Sequence, residues 1–222
     1  MNDLPRRELN RRTNQQKLIE AALSVFARMG YADASMDAVA EAAGLSKPTL
    51  YKYFDSKQAL FTAMMQGRRD DMLMALEVTR AGSMAQQLHS FAWSYARTVM
   101  RPDLMSLARL IIAEAHRFPV VGRAYQTSGP DRLLAGMISY LQDQRAAGRL
   151  AFEDAELAAQ DLWGLILSAP RSRALYEPEW QPDVQTLARY VNNGLRVFLR
   201  AYATRPASDL AALEAIIATS DQ

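Results

Sequence analysis

Apolar residues recur every three or four positions along almost the whole chain, and no stretch alternates β-branched residues between turn clusters as a half-buried strand must. This periodicity confines the 222 residues to an all-helical fold. Gly30, Gly44, Pro102, Pro119, Gly129-Pro130, Gly148, Pro170, Pro178 and Pro182 punctuate the pattern. Cysteine is absent, which removes disulfides, thiolate metal sites and thiol nucleophiles together. The two histidines, His89 and His116, belong to no metal-ligand pair, so neither a metal nor a cofactor is expected. Arg6, Arg7, Arg11 and Arg12 precede no apolar segment, and nothing approaches the roughly 18 apolar residues of a membrane span. A cytoplasmic location without membrane attachment is the expectation.

Thr13, with Gln16 three residues on, reads as the cap of a first helix, which leaves residues 1–12 as a basic arm without fixed structure. Ile19, Ala22, Phe26 and Met29 form its stripe and Gly30 its stop. A short second helix follows Ser35, buries Met36, Val39, Ala40 and Ala43, and ends at Gly44. Ser46 caps a third. Asp55 or Ser56 caps a longer fourth helix that begins at Lys57, carries Leu60, Phe61, Met64, Met65, Met72 and Leu76, and fades near residues 80–83. The domain boundary is placed in it, with a DNA-binding unit over 13–60 and a helical ligand-binding and dimerisation unit over 61–222. Further helices are predicted near 84–100, 103–116, 119–127, 130–147, 154–175 and 182–203. A last short one, capped by Ser208 and carrying Leu210, Leu213, Ile216 and Ile217, is expected to pack loosely.

Two short helices joined by a Gly-containing turn have the logic of a helix-turn-helix. Leu50 and Phe54, four apart, face the first two helices, so Pro48, Thr49 and Lys52 point away from them, flanked by Tyr51 and Tyr53. Such a face suits a duplex groove. Lys47 and Lys52 can reach guanine edges or phosphates, Pro48 and the Thr49 methyl can touch thymine methyls, and the tyrosine hydroxyls can bond phosphates. The helix starts at Ser35 and Lys57 offer unpaired N–H groups to a backbone phosphate. Charge agrees. Residues 1–69 hold eleven Lys and Arg against seven Asp and Glu, a net of +4 within a chain of +2, and every lysine lies at or before Lys57.

The run Gly30-Tyr31, Ser35-Met36-Asp37-Ala38-Val39-Ala40, Ala43-Gly44-Leu45-Ser46-Lys47, Thr49-Leu50-Tyr51-Lys52-Tyr53-Phe54, Ser56-Lys57 and Leu60-Phe61 resembles the N-terminal domain of TetR-family transcriptional regulators over residues 13–65. The resemblance implies a two-domain homodimer whose third helices enter the major groove of double-stranded DNA at an inverted-repeat operator, and a C-terminal domain that takes a small effector. Repression is the usual outcome. By motif position the base-reading places are Lys47, Pro48, Thr49, Tyr51 and Lys52, and the phosphate-binding places Ser35, Thr49, Tyr51, Tyr53 and Lys57, with the capping Ser46 counted among the DNA-binding residues. Pro48 stands where glycine or alanine is common, and Ala34 where threonine is frequent. Phe118-Pro119 and Gly129-Pro130 are similar to a subgroup associated with efflux-pump control.

Methionines and aromatics concentrated after the DNA-binding helices suit an adaptable cavity, and Met65, Trp93, Met100, Met105, Arg109, His116 and Trp163 are the candidate lining. The effector itself is unknown. For the dimer, Leu157, Leu162, Leu165, Ile166 and Ala169 on one long helix, and Leu187, Val191, Gly194, Leu195 and Phe198 on the next, exceed the apolar surface that one buried face needs. Gly164 and Gly194 permit close approach. A helical module that carries a hydrophobic molecule without reading DNA is the alternative. No catalytic residues are assigned, because no nucleophile motif, phosphate loop or purposeful carboxylate pair is present, and an enzyme is not expected.

Overall fold

The structure, a computed structural model, describes residues 6–75 and 81–220, with side chains over 8–66 and 81–219. Met72 and Leu76 of the fourth helix's stripe lie outside the described side chains, as does that helix's approach to residue 80. Eleven helices are described: α1 (Arg6–Asp33), α2 (Met36–Ala42), α3 (Lys47–Tyr51), α4 (Lys57–Ala75), α5 (Met84–Val99), α6 (Pro102–Glu114), α7 (Pro119–Ser128), α8 (Pro130–Ala146), α9 (Ala155–Tyr176), α10 (Val184–Tyr202) and α11 (Pro206–Ser220). Among the described residues the only β pairing is an isolated bridge between Leu150 and Ala203.

The first helix starts at Arg6, seven residues before the expected cap. Thr13 sits inside it, where its Oγ1 donates to the Leu9 carbonyl at 3.0 Å. Arginine, glutamate and leucine are good helix formers, and Glu8 pairs with Arg12 at 3.5 Å one turn on, so propensity overrides the capping signal. The buried stripe is Leu18, Ala22, Val25 and Phe26, whereas Met29 is exposed and Ile19 half-buried.

Packing divides the chain into two compact units, Met1–Asp71 with Ser106–Gly129, and Met72–Met105 with Pro130–Gln222. This is not the boundary read at residue 60. The first core joins Leu18, Phe26, Val39, Leu50 and Phe61 to Leu107 and Ile111 of α6 and Val121 and Ala124 of α7. At its centre the Phe26, Tyr31 and Phe61 rings lie 5.3–5.6 Å apart, and Phe118 meets Tyr31 edge-on at 5.1 Å.

The second core is built from α5, α8, α9, α10 and α11. Its buried polar pair is satisfied, because the Tyr140 hydroxyl donates to Gln87 Oε1 at 3.0 Å and Gln87 Nε2 donates to the Gly82 carbonyl. Pro170 does not end α9, since Leu167, Pro170 and Ala174 all face the core and hold the helix through it. The last helix begins at Pro206, with Ser208 in its first turn, and it is no loose appendage: Leu213 and Ile217 are buried, and Arg196 of α10 forks onto Glu214 at 2.6 and 2.8 Å.

Leu162, Ile166, Leu187, Val191, Leu195 and Phe198, expected at an interface between copies, are buried inside this unit's own core. Their surplus apolarity is absorbed by neighbours in the same chain. Gly194 likewise serves an internal contact: a Cβ there would stand 2.8 Å from the backbone carbon and oxygen of Leu165. Leu157, Gly164 and Ala169 stay exposed, and Leu165 is half-buried. Gly194→Ala should therefore cost about 1–3 kcal/mol by forcing α10 off α9. Gly136→Ala, with nothing within 4 Å of its new methyl, should stabilise by up to about 1 kcal/mol through helix propensity. Thermal denaturation followed by circular dichroism reads both, and equal melting temperatures would contradict the close-approach argument.

Candidate nucleic-acid interface

Every bend of the segment 35–57 has a local cause. Ser35 caps α2, its Oγ accepting from Ala38 N–H at 3.1 Å. The helix closes when Gly44 takes φ +65°, so that Gly44 N–H reaches the Glu41 carbonyl and Leu45 N–H the Ala40 carbonyl, both at 3.0 Å. Ser46 then caps α3, accepting from Thr49 N–H at 3.3 Å and sharing a 2.7 Å bond with the Thr49 hydroxyl. Pro48 fits the first turn because that turn's N–H groups lack helical acceptors anyway.

The third helix turns its apolar side inward as expected: Leu50 is fully buried and Phe54 nearly so. Its other side is open. Lys47, Pro48, Tyr51 and Lys52 are exposed, and Thr49 and Tyr53 are half-buried. Lys47 Nζ contacts Asp37 at 2.8 Å, and that bond holds its ammonium pKa above the usual lysine value. Both partners are solvent-exposed, so a duplex phosphate can exchange for the carboxylate.

Lys57 has a different position from the one its sequence context suggests. Its ammonium donates to the carbonyls of Tyr31, Ala32 and Ala34 at 2.7, 3.0 and 2.9 Å and lies 4.8 Å from the centre of the Tyr31 ring. All three protons are engaged, which leaves the start of α4 to offer backbone N–H groups. The same stretch is held from the other side by Glu114, whose Oε1 accepts from Tyr31 N–H at 3.1 Å and Ala32 N–H at 3.3 Å. Gly30 makes room for that carboxylate: it bends out of the helix at φ +79°, and a Cβ would sit 2.9 Å from Glu114 Oε1. Nothing in the sequence flagged Glu114 for this role, because its partners are backbone groups 83 and 82 residues away.

The expected effector lining does not converge. Met65 belongs to the first core, and Met100 and Met105 are filled positions of the second. Arg109 donates to Ser106 Oγ at 3.0 Å, and His116 is exposed in the turn after α6. Trp93 and Trp163 are both half-buried in the second unit, and Trp163 stacks on Tyr95 at 5.8 Å. No group of three or more potential metal ligands occurs among the described residues, and none of the described helices is long and apolar enough to cross a membrane.

A capped pair of short helices on a small aromatic core, offering one polar helix face, defines a helix-turn-helix transcription regulator. The relatives agree. Residues 18–64 match the family model for bacterial regulatory proteins of the tetR family, and residues 86–204, more than half the chain, match that of the AefR-like transcriptional repressor C-terminal domain. The chain belongs to the TetR family of transcriptional regulators, whose members are not enzymes.

Among solved structures it is similar to a protein of Mesorhizobium loti described as a TetR-family transcriptional regulator, at 30% identity and TM-score 0.79 over 86% of this chain and 98% of that one. The Flavonoid-responsive Regulator FrrA is also 30% identical, with a TM-score of 0.76 over 87% and 98%. The transcriptional activator FasR of Mycolicibacterium smegmatis is 42% identical over 72 residues, 32% of this chain and 31% of FasR. The Escherichia coli regulator RutR is 35% identical over 66 residues, 30% and 31% of the two chains. The chain thus matches about a third of the length of these curated relatives.

Lys57→Met should destabilise the protein by about 1–3 kcal/mol, because three carbonyls lose their donor. Glu114→Gln, which keeps an acceptor oxygen, should cost less than Glu114→Ala. Urea denaturation orders the three variants, and a neutral Lys57→Met would overturn the bracing role.

Proposed function

We propose that the protein represses transcription by binding an inverted-repeat operator as a homodimer in the cytoplasm, and that a small hydrophobic or amphipathic effector releases it. The observation that carries the reading is the division of α3 into a sealed side, Leu50 and Phe54, and an open side bearing Lys47, Pro48, Tyr51 and Lys52. On duplex DNA the two lysines read guanine edges, and Pro48 and the Thr49 methyl contact thymine methyls. Hydroxyls of Ser35, Ser46, Thr49, Tyr51 and Tyr53 bond phosphates, as do the first N–H groups of α4. The Lys57 side chain takes no direct part, since its protons are engaged elsewhere.

The repressor sense is supported by the AefR-like match, and small-molecule control by the likeness to a flavonoid-responsive regulator. FasR is named as an activator, so the sign of control is a separate readout of a reporter assay. For the dimer, the surface that the second core leaves over is the exposed side of α9, with Leu157, Gly164, Ser168 and Ala169, continued by half-buried Leu165 and by Val197 of α10. These small and apolar residues suit close packing of helices across a two-fold axis. Such a dimer presents two α3 helices about 34 Å apart, one turn of B-DNA. An effector needs only a preference of a few kcal/mol for an ill-spaced conformation to empty the operator.

Selection of genomic fragments by the purified protein, followed by gel shift, tests this. The expected product is a palindrome on which Lys52→Ala changes the preference at one base pair by about 1–3 kcal/mol. Uniform retention of every duplex would overturn the proposal. Ala169→Arg should sediment as a folded monomer and lose the palindrome, whereas a persistent dimer would place the interface elsewhere.

A further inference from the structure

The ammonium of Lys47, at the first position of α3, is met by a residue of α2 that no sequence motif singles out. Asp37 Oδ1 and Oδ2 both lie 2.8 Å from Lys47 Nζ, so the carboxylate straddles the ammonium. Both side chains are more than half exposed, at 56% for Lys47 and 61% for Asp37. The pair therefore stands on the surface that α3 leaves open.

An ion pair this exposed contributes little to stability, and a carboxylate on a face that meets a polyanion is repelled by it. Asp37 is a liability there unless its oxygens find a donor on the duplex. The two oxygens occupy two of the ammonium's three protons, which leaves one proton for an outside acceptor, and each oxygen keeps a lone pair for an outside donor. A donor and an acceptor are thus offered side by side. A phosphate carries acceptors only, so it would satisfy the lysine and leave the aspartate facing negative charge. The major-groove edge of a base pair carries both kinds of group. Its amino nitrogen and carbonyl oxygen are hydrogen-bonded to each other and so lie about 2.9 Å apart. That spacing matches the 2.8 Å of the Asp37 and Lys47 contact.

The next atom along the edge decides between base pairs. In G·C, guanine N7 gives the ammonium a second acceptor beside O6, and cytosine places no acceptor beside the N4 amino group that the carboxylate meets. In A·T both neighbours are adverse: the thymine methyl flanks O4, and adenine N7 turns a lone pair toward the carboxylate.

We propose that Asp37 and Lys47 act as one reading unit for a G·C pair in each operator half-site, with the ammonium on guanine O6 and N7 and the carboxylate on cytosine N4. The assignment rests on the DNA-binding reading and deepens it, because it adds a residue of α2 to the recognition surface and names the base pair read by the start of α3.

The test is selection of duplexes from a randomised pool by the full-length protein and by Lys47→Ala, Asp37→Ala, the double variant and Glu41→Ala. Glu41 lies one turn further along α2, is exposed, and forms no ion pair among the described residues, so its removal takes away the same charge without the contact. The expected result is one G·C pair in each half-site, preferred over A·T at least about fivefold by the unmodified protein and not at all by either single variant of the pair. The double variant should lose no more there than each single one, because both side chains serve the same base pair. Glu41→Ala should keep the preference. Loss of an acidic side chain strengthens binding to every duplex alike, so a change confined to one base pair is the readout that mere electrostatics or helix bracing would not move.

Preferences untouched by Asp37→Ala, a change at a different base pair from that of Lys47→Ala, or an equal change with Glu41→Ala would each overturn the assignment. Should alanine lower the melting temperature, Asp37→Ser, of nearly the size of aspartate, repeats the comparison. A protein that selects a palindrome but ignores Asp37→Ala loses only this assignment, whereas one that selects no palindrome loses the regulator reading and this assignment with it.

Discussion

The shape of the DNA-binding unit depends on how the end of α1 is closed. After Gly30 leaves the helical conformation, the backbone of residues 31–34 carries donors and acceptors that no helix satisfies. Lys57 supplies protons to three of its carbonyls, and Glu114 supplies an oxygen to two of its N–H groups. One charged residue comes from the start of α4 and the other from the end of α6. The closure therefore ties three elements together around the Phe26, Tyr31 and Phe61 rings. With α1 and α4 held at this point, α2 and α3 have one surface on which to bury Val39, Leu50 and Phe54, and the opposite side of α3 is directed outward as a result.

What the sequence discloses and what it hides divide by range. The caps at Ser35 and Ser46 and the Gly44 turn are products of interactions within five residues, the inward pair Leu50 and Phe54 shows as a four-residue apolar spacing, and all are legible. The starts of α6, α7 and α8 follow from proline, and those of α5, α9 and α10 from the local caps Ser83, Asp154 and Asp183. The bracing by Glu114 spans more than eighty residues and is silent in the sequence. Apolarity, too, reports that a face is covered but not by what: Leu162, Ile166, Val191 and Phe198 read as candidates for a partner copy, whereas α5 and α8 pack against α9, and α5 and α11 against α10, in the same chain. Thr13 lies inside α1 rather than at its start for another reason, since the arginine-rich segment before it is itself a good helix former.

Side-chain type alone does not separate a residue that fills a core from one that lines a cavity. Met65, Met100 and Met105 fill cores, whereas a cavity of about 530 Å³ in the second unit, between α5, α10 and α11, is bounded largely by small and polar residues, Ser90, Ser94, Thr98, Ala188 and Asn192 among them. Small side chains are what leave space unfilled. Trp93 is the one residue of the sequence-derived candidate lining that stands at this cavity's wall.

The assignment of α7 and most of α6 to the same packed body as the N-terminal helices has a consequence for how such regulators can be recombined. The polypeptide passes from one body to the other three times, so no single cut in the gene separates a reading head from a sensing body. A chimera joined after α4 would leave the head without Leu107, Ile111, Val121 and Ala124, and its α1 terminus without the Glu114 carboxylate. Exchange of specificities between relatives is thus better served by grafting the exposed side of α3 alone than by swapping whole halves.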